Sequence, residues 1–120
     1  MKVNILVIDN EESIRFSFSR FLAAEGHNVI TAKGFREGLA RMDETEFELV
    51  LAEIFLEDGW GTDILREVME KNLKTRVIIM TAYPSKETAQ ASFRMHAVDY
   101  LVKPLKQARL ISSINKALQQ

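Results

Sequence analysis

The sequence has no cysteine, which rules out a disulfide framework, a thiolate nucleophile and cysteine-bearing metal sites. Only two prolines and five glycines occur in 120 residues, and no Pro/Gly/Ser-rich linker, repeat or low-complexity tract divides the chain. Neither charge sign dominates: 16 Lys and Arg stand against 17 Asp and Glu, a formal net charge of −1. That leaves no electrostatic footprint for nucleic acid or an anionic membrane surface. Long hydrophobic runs are also missing. The opening run, Val3 to Ile8, contains Asn4 and stops at Asp9, far short of a signal-peptide core or a membrane span. A cysteine-free chain without a leader fits the cytoplasm. The length corresponds to one domain, able to bury about two-thirds of its unfolded surface without staples.

What is present is a regular alternation. Ile5-Leu6-Val7-Ile8 is a short continuous apolar run rich in β-branched residues, so it reads as a strand buried on both faces. Ile14, Phe18, Phe21 and Leu22 follow at helical spacing, with Gly26 where a C-terminal cap belongs. Further strands are expected at Asn28–Ala32, Leu49–Ala52, Val77–Met80 and Tyr100–Val102. Between and after them lie helices marked by Phe35, Leu39 and Met42, by Ile64, Leu65, Val68 and Met69, by a weak stripe of Ala89, Phe93 and Ala97 behind a Ser85 cap, and by Leu110, Ile111, Ile114 and Leu118. Five alternations with short connections predict a flavodoxin-like (βα)5 doubly wound parallel sheet with right-handed crossovers, of strand order 2-1-3-4-5.

In such a sheet the site lies beyond the carboxyl ends of the strands, where strand order reverses. Four of the strands deliver polar groups at that end: Asp9 and Asn10, Glu53, Thr81, and Lys103. Singly these are turn residues. Together they describe one acidic pocket with a lysine and a hydroxyl. Clustered oxygen ligands suit a hard cation such as Mg²⁺. A metal beside a further carboxylate suggests phosphoryl transfer, with an Asp or Glu able to act as nucleophile.

The runs I-L-V-I-D-N-E-E-S-I-R, M-T-A-Y and D-Y-L-V-K-P, with the stretch around Glu53, resemble the receiver domain of bacterial two-component response regulators over essentially all 120 residues. The resemblance implies a CheY-like single receiver domain spanning 1–120, stand-alone or leading a longer regulator, which takes part in a phosphorelay and is not a turnover enzyme. Within the family it looks most like receivers that head enhancer-binding transcriptional activators. It implies that Asp9 and Asn10 hold Mg²⁺ together with Glu53 and the Phe55 backbone carbonyl. It places Glu53 at the phosphoacceptor position, Thr81 as the hydroxyl following the phosphoryl group, Tyr100 as the aromatic switch partner, Lys103 as the site lysine and Pro104 as a candidate cis-proline. The implied partners are a sensor histidine kinase or the protein's own output domain. Homodimerisation is expected through helix four, strand five and helix five, a face carrying Phe93, Arg94, Met95, His96, Asp99, Tyr100 and Lys106.

Three positions depart from the family pattern. Glu53 stands where Asp is usual, Asn10 where a second Asp is usual, and Glu57 where Pro is usual. Glutamate reaches roughly 1.5 Å further than aspartate, one carbon–carbon bond. A nucleophile misplaced by about 1 Å loses on the order of 100-fold in rate. Asn10 removes a charge and weakens the metal. The longer carboxylate reaches toward the space of a phosphoryl group, where Lys103 and Thr81 could both donate to it, so Glu53 is a partial mimic of the phosphorylated state. The alternative is a degenerate pseudo-receiver that acts only in protein–protein interaction and dimerisation.

Other functions of the same architecture fit poorly. A flavodoxin needs a hydroxyl-rich phosphate loop where Asp9-Asn10-Glu11-Glu12 is acidic, and an aspartate-type phosphatase needs an Asp where Phe55 stands. His27 and His96 read as surface or turn residues, and Met42, Met69, Met80 and Met95 as core or near-core filling. Phe18 and Phe21 belong to the apolar stripe and Phe16 points off it. Trp60, between two glycines, is expected to pack near the third helix, its exposed contact-site reading being the minority one.

Overall fold

The computed structural model describes residues 2–119. Five parallel strands form the main sheet: β1 (Asn4–Ile8), β2 (Asn28–Ala32), β3 (Leu49–Glu53), β6 (Arg76–Thr81) and β7 (Asp99–Val102), in spatial order β2-β1-β3-β6-β7. This is the doubly wound order with β1 and β3 as central neighbours. A two-stranded antiparallel hairpin, β4 (Phe55–Leu56) and β5 (Gly59–Trp60), is inserted after β3. The helices are α1 (Glu12–Ala24), α2 (Phe35–Glu44), α3 (Gly61–Glu70), α4 (Lys86–Arg94) and α5 (Gln107–Leu118).

The pleat divides each central strand between two cores, because successive side chains point to opposite faces. Leu6, Ile8, Val50, Ala52, Val77 and Ile79 pack with Ile64, Leu65 and Val68 of α3. Ile5, Val7, Leu49, Leu51, Ile78 and Met80 pack with Phe18 and Leu22 of α1 and Leu110, Ile114 and Ala117 of α5. Both faces of β1, β3 and β6 are therefore covered, which explains their unbroken apolar runs.

Turns close the helices as the local chemistry requires. Gly26 ends the α1 connection at φ 93°, and Asn72 follows α3 at φ 53°, left-handed positions open to Gly and Asn. The Asp58 carboxylate accepts from Phe35 N at 2.7 Å and Arg36 N at 3.0 Å. It thus caps α2 from the hairpin turn, and those bonds hold its carboxyl below the usual aspartate range. Gly61 permits a close crossing: a β-carbon there would lie 2.4 Å from the Glu53 carbonyl oxygen.

Several side chains differ from the sequence expectation. His27 is buried, and its Nδ1 accepts from Val3 N at 3.3 Å, tying β1 to the loop before β2. Met69 is exposed, and so is Phe93, while Ser92 takes the inward place on α4. Ser92 Oγ can be buried there because it donates to Thr88 O at 2.7 Å. Trp60 is half-exposed at the start of α3 and rests on Phe55 instead of packing into the helix.

Candidate functional site

Register decides which groups meet. Ile8 lies opposite Ala52, Glu53 opposite Met80, and Thr81 opposite Val102. Asp9 and Glu53 therefore stand at neighbouring strand ends, and Lys103 follows β7, one strand beyond β6. Each also continues the row of its strand that faces α1 and α5: Ile5-Val7-Asp9, Leu49-Leu51-Glu53 and Leu101-Lys103. Thr81 continues the opposite row, that of Val77 and Ile79.

The three groups in the shared row make direct contact. Lys103 Nζ lies 2.7 Å from Asp9 Oδ2 and 2.7 Å from Glu53 Oε1. All three are nearly inaccessible, at 0% for Asp9, 5% for Glu53 and 7% for Lys103. The remaining carboxylate oxygens are also engaged. Asp9 Oδ1 accepts from Glu11 N at 2.9 Å, and Glu53 Oε2 from Phe55 N at 3.2 Å. Burial alone would lower the lysine pKa, but hydrogen bonds from the ammonium to Asp9 and Glu53, and their charges, outweigh it and raise it. Two carboxylates share one ammonium, so the pocket keeps a net negative charge. Glu11, exposed and 3.7 Å from Lys103 Nζ, adds to it.

The second donor to Glu53 is the Phe55 amide, and Thr81 is engaged elsewhere. Thr81 is fully buried, and its Oγ1 accepts from Tyr83 N at 3.1 Å. Tyr100 is likewise committed to α4: its hydroxyl lies 2.7 Å from Thr88 Oγ1 and accepts from Ser85 N at 3.3 Å. Ser85 Oγ caps the helix by accepting from Thr88 N at 3.0 Å. Asn10 is exposed on the rim. The Lys103–Pro104 peptide bond is cis.

Ser85 is the helix cap that the sequence implied, whereas Glu11, Arg15 and Thr88 were not singled out by sequence reasoning. Arg15 donates to the Asp9 carbonyl at 2.7 Å and so braces the strand end from α1. The only sequence signal for it is its place one helical turn into α1, on the side nearest the strand end.

An all-oxygen donor set of Asp9, Asn10, Glu53 and the Phe55 carbonyl fits the chemistry of a hard cation, and the residual negative charge favours one. The fit is to an ion held by few protein ligands. Lys103 already takes up one oxygen of each carboxylate, and among the described residues no group of three or more His, Cys, Asp or Glu side chains is placed to hold a metal.

Residues 5–115 match the family model for the response regulator receiver domain. The chain is 36% identical over 117 residues to the transcriptional regulatory protein ZraR of Salmonella typhimurium, covering 98% of this chain and 26% of that protein. It thus spans about a quarter of the length of such curated relatives. A CheY-like receiver domain protein from Methanospirillum hungatei superposes with a TM-score of 0.94 at 30% identity, covering 99% of this chain and 95% of that one. The receiver domain of NtrC4, solved as a beryllofluoride-activated dimer, superposes with a TM-score of 0.91 at 31% identity, covering 97% and 96%. With the doubly wound order and an acid–lysine pocket at the carboxyl ends of its strands, the chain belongs to the response regulator receiver domain family.

Proposed function

We propose that this chain is a receiver module of a two-component system whose switch does not run on ordinary aspartyl phosphorylation, because Glu53 occupies the acceptor position and is already locked to Lys103. The observation that carries this reading is the pair of 2.7 Å contacts from Lys103 Nζ to Glu53 Oε1 and Asp9 Oδ2. A buried lysine that bridges two carboxylates holds Glu53 where an incoming phosphoryl group would need its oxygen free. Planar and singly charged, Glu53 copies only part of a phosphorylated aspartate.

Asp9, Asn10 and the Phe55 carbonyl would hold Mg²⁺, with Glu53 at its edge. The ion would neutralise charge there, and Asn10 makes its binding weaker than an Asp would. As a signalling module the domain does not turn over substrate. Its partners in this reading are a sensor histidine kinase or its own output domain in a transcriptional regulator, in the cytoplasm. Among the described residues no helix is long and apolar enough to cross a membrane. A homodimer would form through α4, β7 and α5, where Phe93 and Val102 are exposed.

The competing reading is a pseudo-receiver that only binds proteins. It is favoured by the full occupation of all four carboxylate oxygens. Incubation with a small phosphodonor and Mg²⁺, read by intact mass, separates the two. The wild type should gain no phosphoryl group and Glu53→Asp should gain one. A stoichiometric gain on Glu53 refutes the silenced acceptor, and no gain in Glu53→Asp favours the pseudo-receiver.

A further inference from the structure

The hairpin that carries Phe55 is fastened to a helix far away in the chain. Asp58 lies in the turn between β4 and β5 and is exposed, yet both its carboxylate oxygens are engaged. Oδ1 accepts from Phe35 N at 2.7 Å and Oδ2 from Arg36 N at 3.0 Å. These are the first two amides of α2, 23 and 22 positions earlier. Among the described residues no other side-chain hydrogen bond or ion pair holds the Glu57–Asp58 tip.

The helix is shaped to receive this carboxylate. Its N-cap is Gly34, which has no side chain to satisfy the first turn, where Ser, Thr, Asp or Asn is favoured. The turn itself does not call for glycine, since Gly34 has φ −164°, extended backbone open to any residue. The close approach does. A β-carbon on Gly34 would lie 2.6 Å from Asp58 Oδ1, and its three nearest atoms would all belong to that carboxylate. Gly59 serves the approach from the hairpin side, where a β-carbon would lie 3.0 Å from Phe35 Cβ. The negative charge also suits the positive end of the helix dipole.

The near end of the same hairpin touches the pocket. Phe55 pairs with Trp60 and Leu56 with Gly59, so one short ladder joins the Asp58 tip to Phe55. Phe55 N donates to Glu53 Oε2 at 3.2 Å, while Lys103 Nζ holds Oε1 at 2.7 Å. Glutamate has one more rotatable bond than aspartate, and so more orientations to lose. One fixed donor on each oxygen selects a single orientation, and the second of these donors rides on the hairpin.

We propose that Asp58 is a positioning residue of the Glu53 pocket: by clipping the hairpin tip to the first turn of α2, it holds the Phe55 amide against Glu53 Oε2 and sets the orientation of the carboxylate that Lys103 bridges. This role is independent of whether Glu53 accepts a phosphoryl group.

Two variants separate positioning from simple capping of α2. Asp58→Ala removes the clip and leaves the first turn of α2 uncapped. Adding Gly34→Ser to it gives α2 a cap of its own, in the space the carboxylate has left. Hydrogen exchange read by NMR should show the Phe55 amide of Asp58→Ala exchanging at least about tenfold faster than in the wild type. The ¹⁵N signal of the Lys103 ammonium should move with it. In Asp58→Ala/Gly34→Ser the melting temperature and the protection of the first-turn amides of α2 should recover, while Phe55 stays fast and the Lys103 signal stays displaced. Phe55 exchange and a Lys103 signal unchanged in both variants overturn the proposal. So does their recovery along with α2 in the double variant, since Asp58 would then be a helix cap and nothing more.

Discussion

Replacing Lys103 by methionine tests the pocket most directly. Methionine keeps the length and apolar stem of the side chain but removes the charge, leaving Asp9 and Glu53 buried together without a cation. Lys103 contacts both at 2.7 Å, and both acidic side chains are buried. Breaking a buried pair by removing one partner costs about 3–5 kcal/mol, a large share of the roughly 5–15 kcal/mol that stabilises a domain. Urea unfolding followed by far-UV circular dichroism at pH 7 should show that loss as a lower midpoint with an unchanged slope. The deficit should narrow as the pH falls and the stranded carboxylates take up protons, because the folded variant then binds protons more readily than its unfolded chain. Adding Glu53→Gln to Lys103→Met should recover part of the loss, with a coupling of about 1–3 kcal/mol. Millimolar Mg²⁺ should stabilise Lys103→Met more than the wild type, since the ion then supplies the only cation in the pocket. A loss below about 1 kcal/mol that does not vary with pH would refute the claim that Lys103 holds this site together; such small effects belong to exposed pairs.

Gly61→Ala should destabilise by about 2 kcal/mol or more and disturb Glu53, because its β-carbon would lie 2.4 Å from backbone that cannot step aside; thermal melts and amide shifts of β3 would show both. His27 is held below its usual pKa, chiefly by burial, so its neutral form favours folding. That stability is present above about pH 6.5 and is lost as pH falls below it, and His27→Gln should flatten the pH dependence of the melting temperature between pH 7 and 5. Tyr100→Phe removes a hydroxyl bonded to Thr88 and Ser85. It should cost about 1 kcal/mol and speed hydrogen exchange in the first turn of α4 more than in α5.

The main sheet was legible because β1, β3 and β6 are buried on both faces and so read as unbroken apolar runs. The alternation then implied strand order and put Asp9, Glu53 and Lys103 at one end. The pleat decided a finer matter, namely which of the gathered groups touch. Register and strand parity place Thr81 in the row of Val77 and Ile79, so the Phe55 amide, not the Thr81 hydroxyl, is the second donor to Glu53. The hairpin escaped notice because strands of two residues carry no periodicity. Asp58 capping α2 escaped for a different reason: capping rules look a few residues ahead, and this cap acts across 23 positions. His27 was misread because its partner, the Val3 amide, lies 24 positions away, and an isolated histidine gives no sign of a distant backbone donor.

Most of the chain obeys the rules of its local structure, and the departures are concentrated. A glutamate ends a wholly buried strand, a lysine is buried between acids, a tryptophan replaces a capping residue, and a glycine lets the hairpin cross within van der Waals contact of the strand end. All four lie at the carboxyl rim of the sheet. The opposite rim has fewer: His27 is buried there with its ring bonded to Val3 N, and His96 takes φ 71° before β7. What sets the carboxyl rim apart is that its departures gather around one buried acid–lysine bridge, as a functional edge on a stable scaffold produces. Their clustering argues that Glu53 belongs to a working arrangement with Lys103 and the hairpin, so that aspartate at that one position should loosen the lysine bridge and expose the pocket.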